Sequence, residues 1–272
     1  MRRGRGRRRS RTRVVAVAAA LVALVSTACT REPAEIPDST DVPTLVVDIV
    51  STRPHDTTSF TQGLEIDGDR LFEGTGLAGR SRVTSSDPET GRVLASVDLP
   101  APLFGEGLTV VGDSLWQLTW QNGIAIARDP QTLQEVRRVN YDGEGWGLCH
   151  RDGSLVMSDG TDTLTFRDPD TFTKTGTVPV TLDGSPVSEI NELECTPDGV
   201  YANIWKTDEV VRIDPSNGEV TAVIDASALR DSLGDTSQID VLNGIAAVSG
   251  TSRFLMTGKL WPTLFEVEFV PR

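Results

Sequence analysis

Histidine and cysteine are scarce in this chain. Two histidines, His55 and His150, and three cysteines, Cys29, Cys149 and Cys195, are spread over 272 residues. No His-Glu-x-x-His and no paired Cys-x-x-Cys occurs, so the ligand spacings of a catalytic zinc site are missing. Basic charge is scarce as well, apart from the first thirteen residues, MRRGRGRRRSRTR. Without residues 1–28 the chain keeps 18 of its 26 Lys and Arg and all 39 Asp and Glu, a net charge of −21. That balance argues against nucleic acid and against adhesion to anionic lipid, both of which need a basic footprint. It attracts cationic ligands such as free peptide N-termini, although solubility alone accounts for it. Long apolar runs are also absent: VVAVAAALVALVSTA spans about fifteen residues, short for a membrane span.

That run follows the arginines and precedes small residues, the layout of an export signal over residues 1–28. Ser26-Thr27-Ala28 suits ordinary signal peptidase. The same residues followed by Cys29 suit a lipoprotein site, with Ser26 in place of the usual large aliphatic residue. The lipoprotein reading is favoured, and residues 29–42 then form a tether from an anchored Cys29 to a domain spanning 43–272. The domain is expected outside the cytoplasm, free or in the cell envelope, touching membrane only through that anchor. Cys149 and Cys195 are then an exported pair, and whether neighbouring strands bring them close enough for a disulfide is open.

What is abundant is repetition. FTQGLEI, FGEGLTV, GEGWGLC, INELECT and VLNGIAAV each lead through a turn into a second apolar run. Gln62, Glu106, Trp146, Glu192 and Asn243 share one offset, at spacings of 44, 40, 46 and 51. Asp-Pro turns recur at Asp87, Asp129, Asp168 and Asp214, flanked by segments of period-two alternation such as GIAIARDP and EVVRIDP. Each unit reads as four antiparallel strands, and four-stranded units of about 40–50 residues are propeller blades. The last copy is one strand short, and TLVVDIVS, Thr44 to Ser51, is one strand too many at the start. The expectation is all-β: a five-bladed β-propeller of four-stranded antiparallel blades, the last closed by the N-terminal strand. Only SALRDSLG, Ser227 to Gly234, reads as a short helix.

Three motif matches lack their context. Gly74-Thr-Gly76-Leu-Ala-Gly79 has no helix after it, Gly112-Asp-Ser-Leu is the repeat's own turn, and Asp67-Gly-Asp69 lacks the other ligands of a calcium loop.

In a propeller the first strands line the central channel. Their shared offset here carries unlike polar groups, and the ends of the second strands carry Trp120, Asp159, Trp205 and Lys259. A ring of unlike polar groups with three tryptophans at one end reads as a binding site. For Asp159 and Asn243 a structural role in the channel weighs at least as much. The glycines around Trp146 read as bare backbone that lets a peptide terminus approach the indole face.

FTQGL, FGEGLT, QLTW, GEGWGL, MSDG, NELE, ANIW, LNGIA and TGKLWP, in that order from Phe60 to Pro262, closely resemble the plant and bacterial type of glutaminyl cyclase. The resemblance implies a five-bladed propeller that converts the N-terminal glutamine of a peptide or protein to pyroglutamate, releasing ammonia. It implies Glu106 as a carboxyl proton shuttle, with Lys259 and Asn191 contacting the amide and oxyanion. Gln62 would meet the amino end, Trp120, Trp146 and Trp205 would form aromatic walls, and Phe60 and Phe104 would complete them. No metal or cofactor is required, although the acidic channel near Glu194 or Asp159 leaves room for a structural cation. The enzyme is expected to act as a monomer. The competing readings are a non-catalytic peptide-binding propeller lipoprotein and a propeller metal hydrolase. A carboxyl at 106 speaks against the first, and Lys259 with three tryptophans crowds the centre needed by the second.

Overall fold

Alternation of period two between Asp-Pro turns becomes a succession of short antiparallel strands. The computed structural model describes Met1 and residues 42–272. The described strands all fall in one compact unit, Pro33–Arg272. The export signal and the tether, Met1 and Val42 apart, lie outside the described residues.

Strand β1 (Thr44–Pro54) comes first. Three four-stranded meanders follow: β2 (Thr61–Asp67), β3 (Arg70–Thr75), β4 (Arg82–Ser86) and β5 (Val93–Asp98); β6 (Gly105–Val111), β7 (Ser114–Thr119), β8 (Ile124–Arg128) and β9 (Glu135–Asn140); β10 (Leu148–Arg151), β11 (Ser154–Met157), β12 (Thr163–Arg167) and β13 (Lys174–Pro179). A small hairpin, β14 (Thr181–Leu182) and β15 (Ser185–Pro186), leads to β16 (Ile190–Thr196), β17 (Gly199–Ile204), β18 (Glu209–Ile213) and β19 (Val220–Asp225). Helix α1 (Ser227–Asp231) falls where the sequence breaks its strand pattern. The chain ends in β20 (Leu242–Ala247), β21 (Arg253–Gly258) and β22 (Thr263–Pro271).

These last two groups share one eight-stranded sheet, in the order β16-β17-β18-β19-β1-β22-β21-β20. The N-terminal strand runs antiparallel to β22 from Leu45 opposite Pro271 to Pro54 opposite Thr263. It thus supplies the strand the last repeat lacks. On its other edge β1 pairs in parallel with β19, Thr44–Val46 against Val223–Asp225. That pairing leaves neither sheet an open edge at the seam.

Apolar side chains fill the spaces between successive sheets. Phe72 and Val83 pack against Leu108 and Leu115, and Trp116 and Leu118 against Leu148 and Leu155. Val156 and Leu164 meet Leu193 and Val211, and Val210 and Ile224 meet Ile245 and Phe265. Leu255 and Leu264 return to Leu64 and Leu71, so the packing closes on itself. The inner strands β2, β6, β10, β16 and β20 follow one another in the same closed order. The fold is a β-propeller, with buried inner strands such as β6 and an outer β9 exposed over most of its length.

Asp-Pro turns close the outer hairpins by a local mechanism. Asp87, Asp129 and Asp168 each accept backbone N–H bonds two and three residues on, and Asp214 accepts from Ser216. Cys149 of β10 and Cys195 of β16 form a disulfide, with Cα atoms 5.4 Å apart. The adjacent inner strands approach closely enough for the bond that the sequence leaves open.

Candidate active site

Four of the inner strands carry a register irregularity at the same offset. Against their neighbours, β2 shifts between Thr61 and Gly63, β6 between Gly105 and Leu108, β16 between Ile190 and Leu193, and β20 between Leu242 and Ile245. A bulge leaves a residue out of the ladder and re-aims its side chain. The residues set free are Gln62, Glu106, Asn191 with Glu192, and Asn243. In the third sheet Trp146 stands just before β10 begins.

Glycine recurs beside these positions because the inner strands converge. A Cβ on Gly63 would lie 2.7 Å from Leu108 N, and one on Gly107 would lie 2.6 Å from Trp146 O. On Gly147 it would overlap the Asn191 carbonyl oxygen, and on Gly145 the Tyr141 hydroxyl. The glycines flanking Trp146 therefore admit neighbouring strands and a tyrosine ring, which corrects the expectation that they open a path for substrate. The glycines that serve the pocket lie elsewhere: Gly76 seats the Phe104 ring, and Gly160, at φ 79°, seats Trp146 with ring carbon Cζ2 2.6 Å from where a Cβ would be.

A second set of side chains comes from the residues that follow the second strands: Trp120 after β7, Trp205 after β17 and Lys259 after β21. Their backbone N–H groups bond to Phe104 O, Glu189 O and Val241 O at 3.0, 2.9 and 2.9 Å, each carbonyl lying just ahead of a bulge. One cavity of about 220 Å³ brings both sets together. All nine residues singled out from the sequence line it: Phe60, Gln62, Phe104, Glu106, Trp120, Trp146, Asn191, Trp205 and Lys259. Asn243 does not line it. Its Nδ2 donates to Thr61 O at 3.0 Å and to Gln62 Oε1 at 3.2 Å, a position behind the wall. His55 and His150 are outside the lining too.

The aromatic rings form an arc. Phe60 meets Phe104 edge-on with centroids 6.3 Å apart, and Phe104 meets Trp120 at 5.5 Å. Trp146 meets Trp205 edge-on at 5.3 Å. Lys259 Nζ lies 4.9 Å from the Phe60 ring centroid, closing the arc on the far side.

Glu106 is 4% exposed on this floor. Gln62 Nε2 donates to its Oε1 at 2.9 Å. Burial pushes the Glu106 pKa well above the ordinary glutamate value; Lys259 opposes the rise and Glu144 adds to it. Burial likewise lowers the pKa of Lys259, 5% exposed, against the pull of Glu106 and Asp240. Among the described residues these two groups form no direct ion pair, yet both line the cavity and each acts on the other's charge. Asn191, 2% exposed, receives the Ser158 hydroxyl on its backbone carbonyl at 2.6 Å and is among the residues that line the cavity.

Two residues escaped the sequence reading. Asp240 lines the mouth and is exposed; it precedes the VLNG repeat and shares no offset with the others. Glu144 lies behind the wall, with Trp120 Nε1 and Trp146 Nε1 both donating to its Oε2, at 2.8 and 3.0 Å. Its only signal in sequence is an acid two residues before an indole. Of the acids considered for a cation, Asp159 accepts from Thr161 N and Oγ1 in a turn after β11, at 3.0 and 2.6 Å. Glu194 is buried, and burial and Glu65 raise its pKa. No group of three or more His, Cys, Asp or Glu side chains suited to a metal ion occurs among the described residues.

A buried carboxyl and a buried ammonium lining one aromatic cup suit a small polar group at the end of a chain. The family model for glutamine cyclotransferase matches residues 17–269. A glutaminyl-peptide cyclotransferase of Arabidopsis thaliana is 39% identical over 226 residues, 82% of this chain and 71% of that protein. The crystal structure of Myxococcus xanthus glutaminyl cyclase is 43% identical and matches with a TM-score of 0.80 over 85% of this chain and 100% of that one. By its sequence and by its folded backbone, the chain belongs to the glutamine cyclotransferase family.

Proposed function

We propose that the protein closes the N-terminal glutamine of peptides and proteins to pyroglutamate and releases ammonia, acting as a monomer on a propeller of five blades. The blade count treats the eight-stranded sheet as two blades joined at the seam by β1. The arrangement of Glu106 carries the functional reading: a buried carboxyl with a raised pKa, held at one oxygen by Gln62, on the floor of an aromatic cavity that Lys259 shares.

In this reaction the α-amine attacks the side-chain amide carbon of the same residue. The nucleophile is already tethered, so the site must fold the side chain over and move protons. The trigonal carbon becomes tetrahedral, its oxygen gains negative charge, and the amine nitrogen must shed a proton. Glu106 as carboxylate accepts that proton and then delivers it to the leaving nitrogen, which departs as ammonia when the C–N bond breaks. A carboxyl with a raised pKa suits both halves, because it holds the proton without trapping it. Lys259 and Asn191, which share the cavity with Glu106, would meet the amide oxygen as its charge develops. The indoles and Phe60 and Phe104 enclose the aliphatic stem and keep water from the tetrahedral carbon. Neither step calls for a metal or cofactor.

The test is to incubate the protein with a glutamine-initiated dipeptide and measure ammonia and pyroglutamate, with and without a chelator. Both products should appear at equal rates in either condition. No ammonia at high protein concentration sinks the reading, and ammonia abolished by chelator moves the chemistry to a metal.

A further inference from the structure

The aromatic arc has a gap. Phe60, Phe104 and Trp120 form one run and Trp146 with Trp205 another, and Glu144 spans the space between them. Gly143, at φ 91°, turns the chain, and Gly145 N donates to Trp120 O at 3.0 Å, which lays residues 142–145 along the second sheet's tryptophan. The Glu144 side chain then meets both indoles from behind. Oε2 takes the two indole N–H groups, and Oε1 takes Gln121 Nε2 at 2.8 Å.

We propose that Glu144 is a positioning residue for cyclisation: one carboxylate shared by two indole N–H groups fixes the two halves of the cavity wall at a single separation and sets a negative charge beside Glu106. The proposal rests on the cyclotransferase reading. Indole N–H bonds to a charged acceptor are among the stronger hydrogen bonds, so the clamp restrains both rings. The groups that face Glu106 come from several elements. Gln62 of β2 donates to it, and Lys259 after β21 acts against its protonation. Tyr141, ahead of β10, feels its charge while donating to Thr119 O at 2.5 Å. Among these Glu144 is the one that favours the protonated form.

Two variants separate the clamp from the charge. Glu144→Gln keeps an oxygen for the indoles and loses the charge. Glu144→Asp keeps the charge and is one methylene too short to hold both indoles. In substrate-free protein labelled at glutamate side-chain carboxyls, with Glu106→Gln identifying the Glu106 signal, Glu144→Gln should move the Glu106 titration to lower pH. Glu144→Asp should shift the Trp120 and Trp146 indole N–H resonances and raise KM for a glutamine dipeptide about tenfold, with kcat changed by less than about threefold. An unmoved Glu106 titration in the first variant, or unmoved indole signals and KM in the second, overturns the proposal. The NMR readouts need no substrate. Failure of the cyclotransferase reading would appear separately, as absent ammonia in the unaltered protein.

Discussion

Glu106 and Glu192 hold the same offset in their repeats, both on bulged inner strands and both almost wholly buried. Burial raises the pKa of each well above the ordinary glutamate value. Their partners differ. Glu192 spans the axis: Oε1 accepts from Leu64 N at 3.1 Å on β2 and Oε2 from Ile245 N at 2.9 Å on β20. Both of its oxygens are committed to backbone, and it is not among the residues that line the aromatic cavity. Glu106 accepts one side-chain amide and lines a cavity that the Lys259 ammonium shares. A buried carboxyl with a shifted pKa is thus not by itself a reactive group. What separates the two is a free oxygen with access to a ligand, as against two oxygens spent on tying strands together.

The sharpest test of that contrast is Glu106→Gln. It should keep the fold, since an amide still meets Gln62, and lower kcat by about 10²–10⁴-fold through loss of the proton shuttle. A near-normal rate would remove the distinction. Glu192→Leu should do the reverse. Two buried N–H groups would lose their acceptors, costing about 3 kcal/mol in denaturant unfolding, while kcat of the folded fraction stays within about threefold. If turnover collapses with stability intact, Glu192 belongs to the chemistry. Trp146→Ala opens the wall without touching either acid and should raise KM about tenfold with a smaller change in kcat. An unchanged KM would place the substrate elsewhere in the cup.

The smallest effect concerns a third acid, half-buried on β2. Glu65 accepts from Val110 N at 3.0 Å, and burial, with Asp67 adding, pushes its pKa from 4.5 up to about 8. Between those values the folded state holds a proton that the unfolded chain has released, so stability from this group is full below about pH 4.5 and declines as pH rises to about 8. Glu65→Gln should flatten that part of the thermal unfolding profile against pH. A profile with the same slope in the variant would show that Glu65 is ionised in the fold.

Much of this was readable because the repeat is local. Alternation, Asp-Pro turns and the surplus strand at Thr44 to Ser51 are properties of neighbouring residues, and they foretold the four-stranded units, the outer place of β1 beside β22 and the helix at Ser227. The family resemblance gave roles to nine residues, and the folded chain sets all nine around one cavity, whereas Glu192 and Asn243, named by the shared offset, lie outside its lining. The glycines were visible but their reason was not, because a Cβ clash between Gly147 and Asn191 depends on how closely two strands approach 44 residues apart. The same holds for Cys149 with Cys195, for Glu192 bridging β2 and β20, and for the parallel pairing of β1 with β19. Sequence by itself determined the unit and the chemistry each unit carries to the mouth. Tertiary structure alone decided which carboxyl lines the cavity, which ties the ring, and that Glu144 joins two indoles from different sheets, because those outcomes turn on distances between sheets that no local pattern encodes.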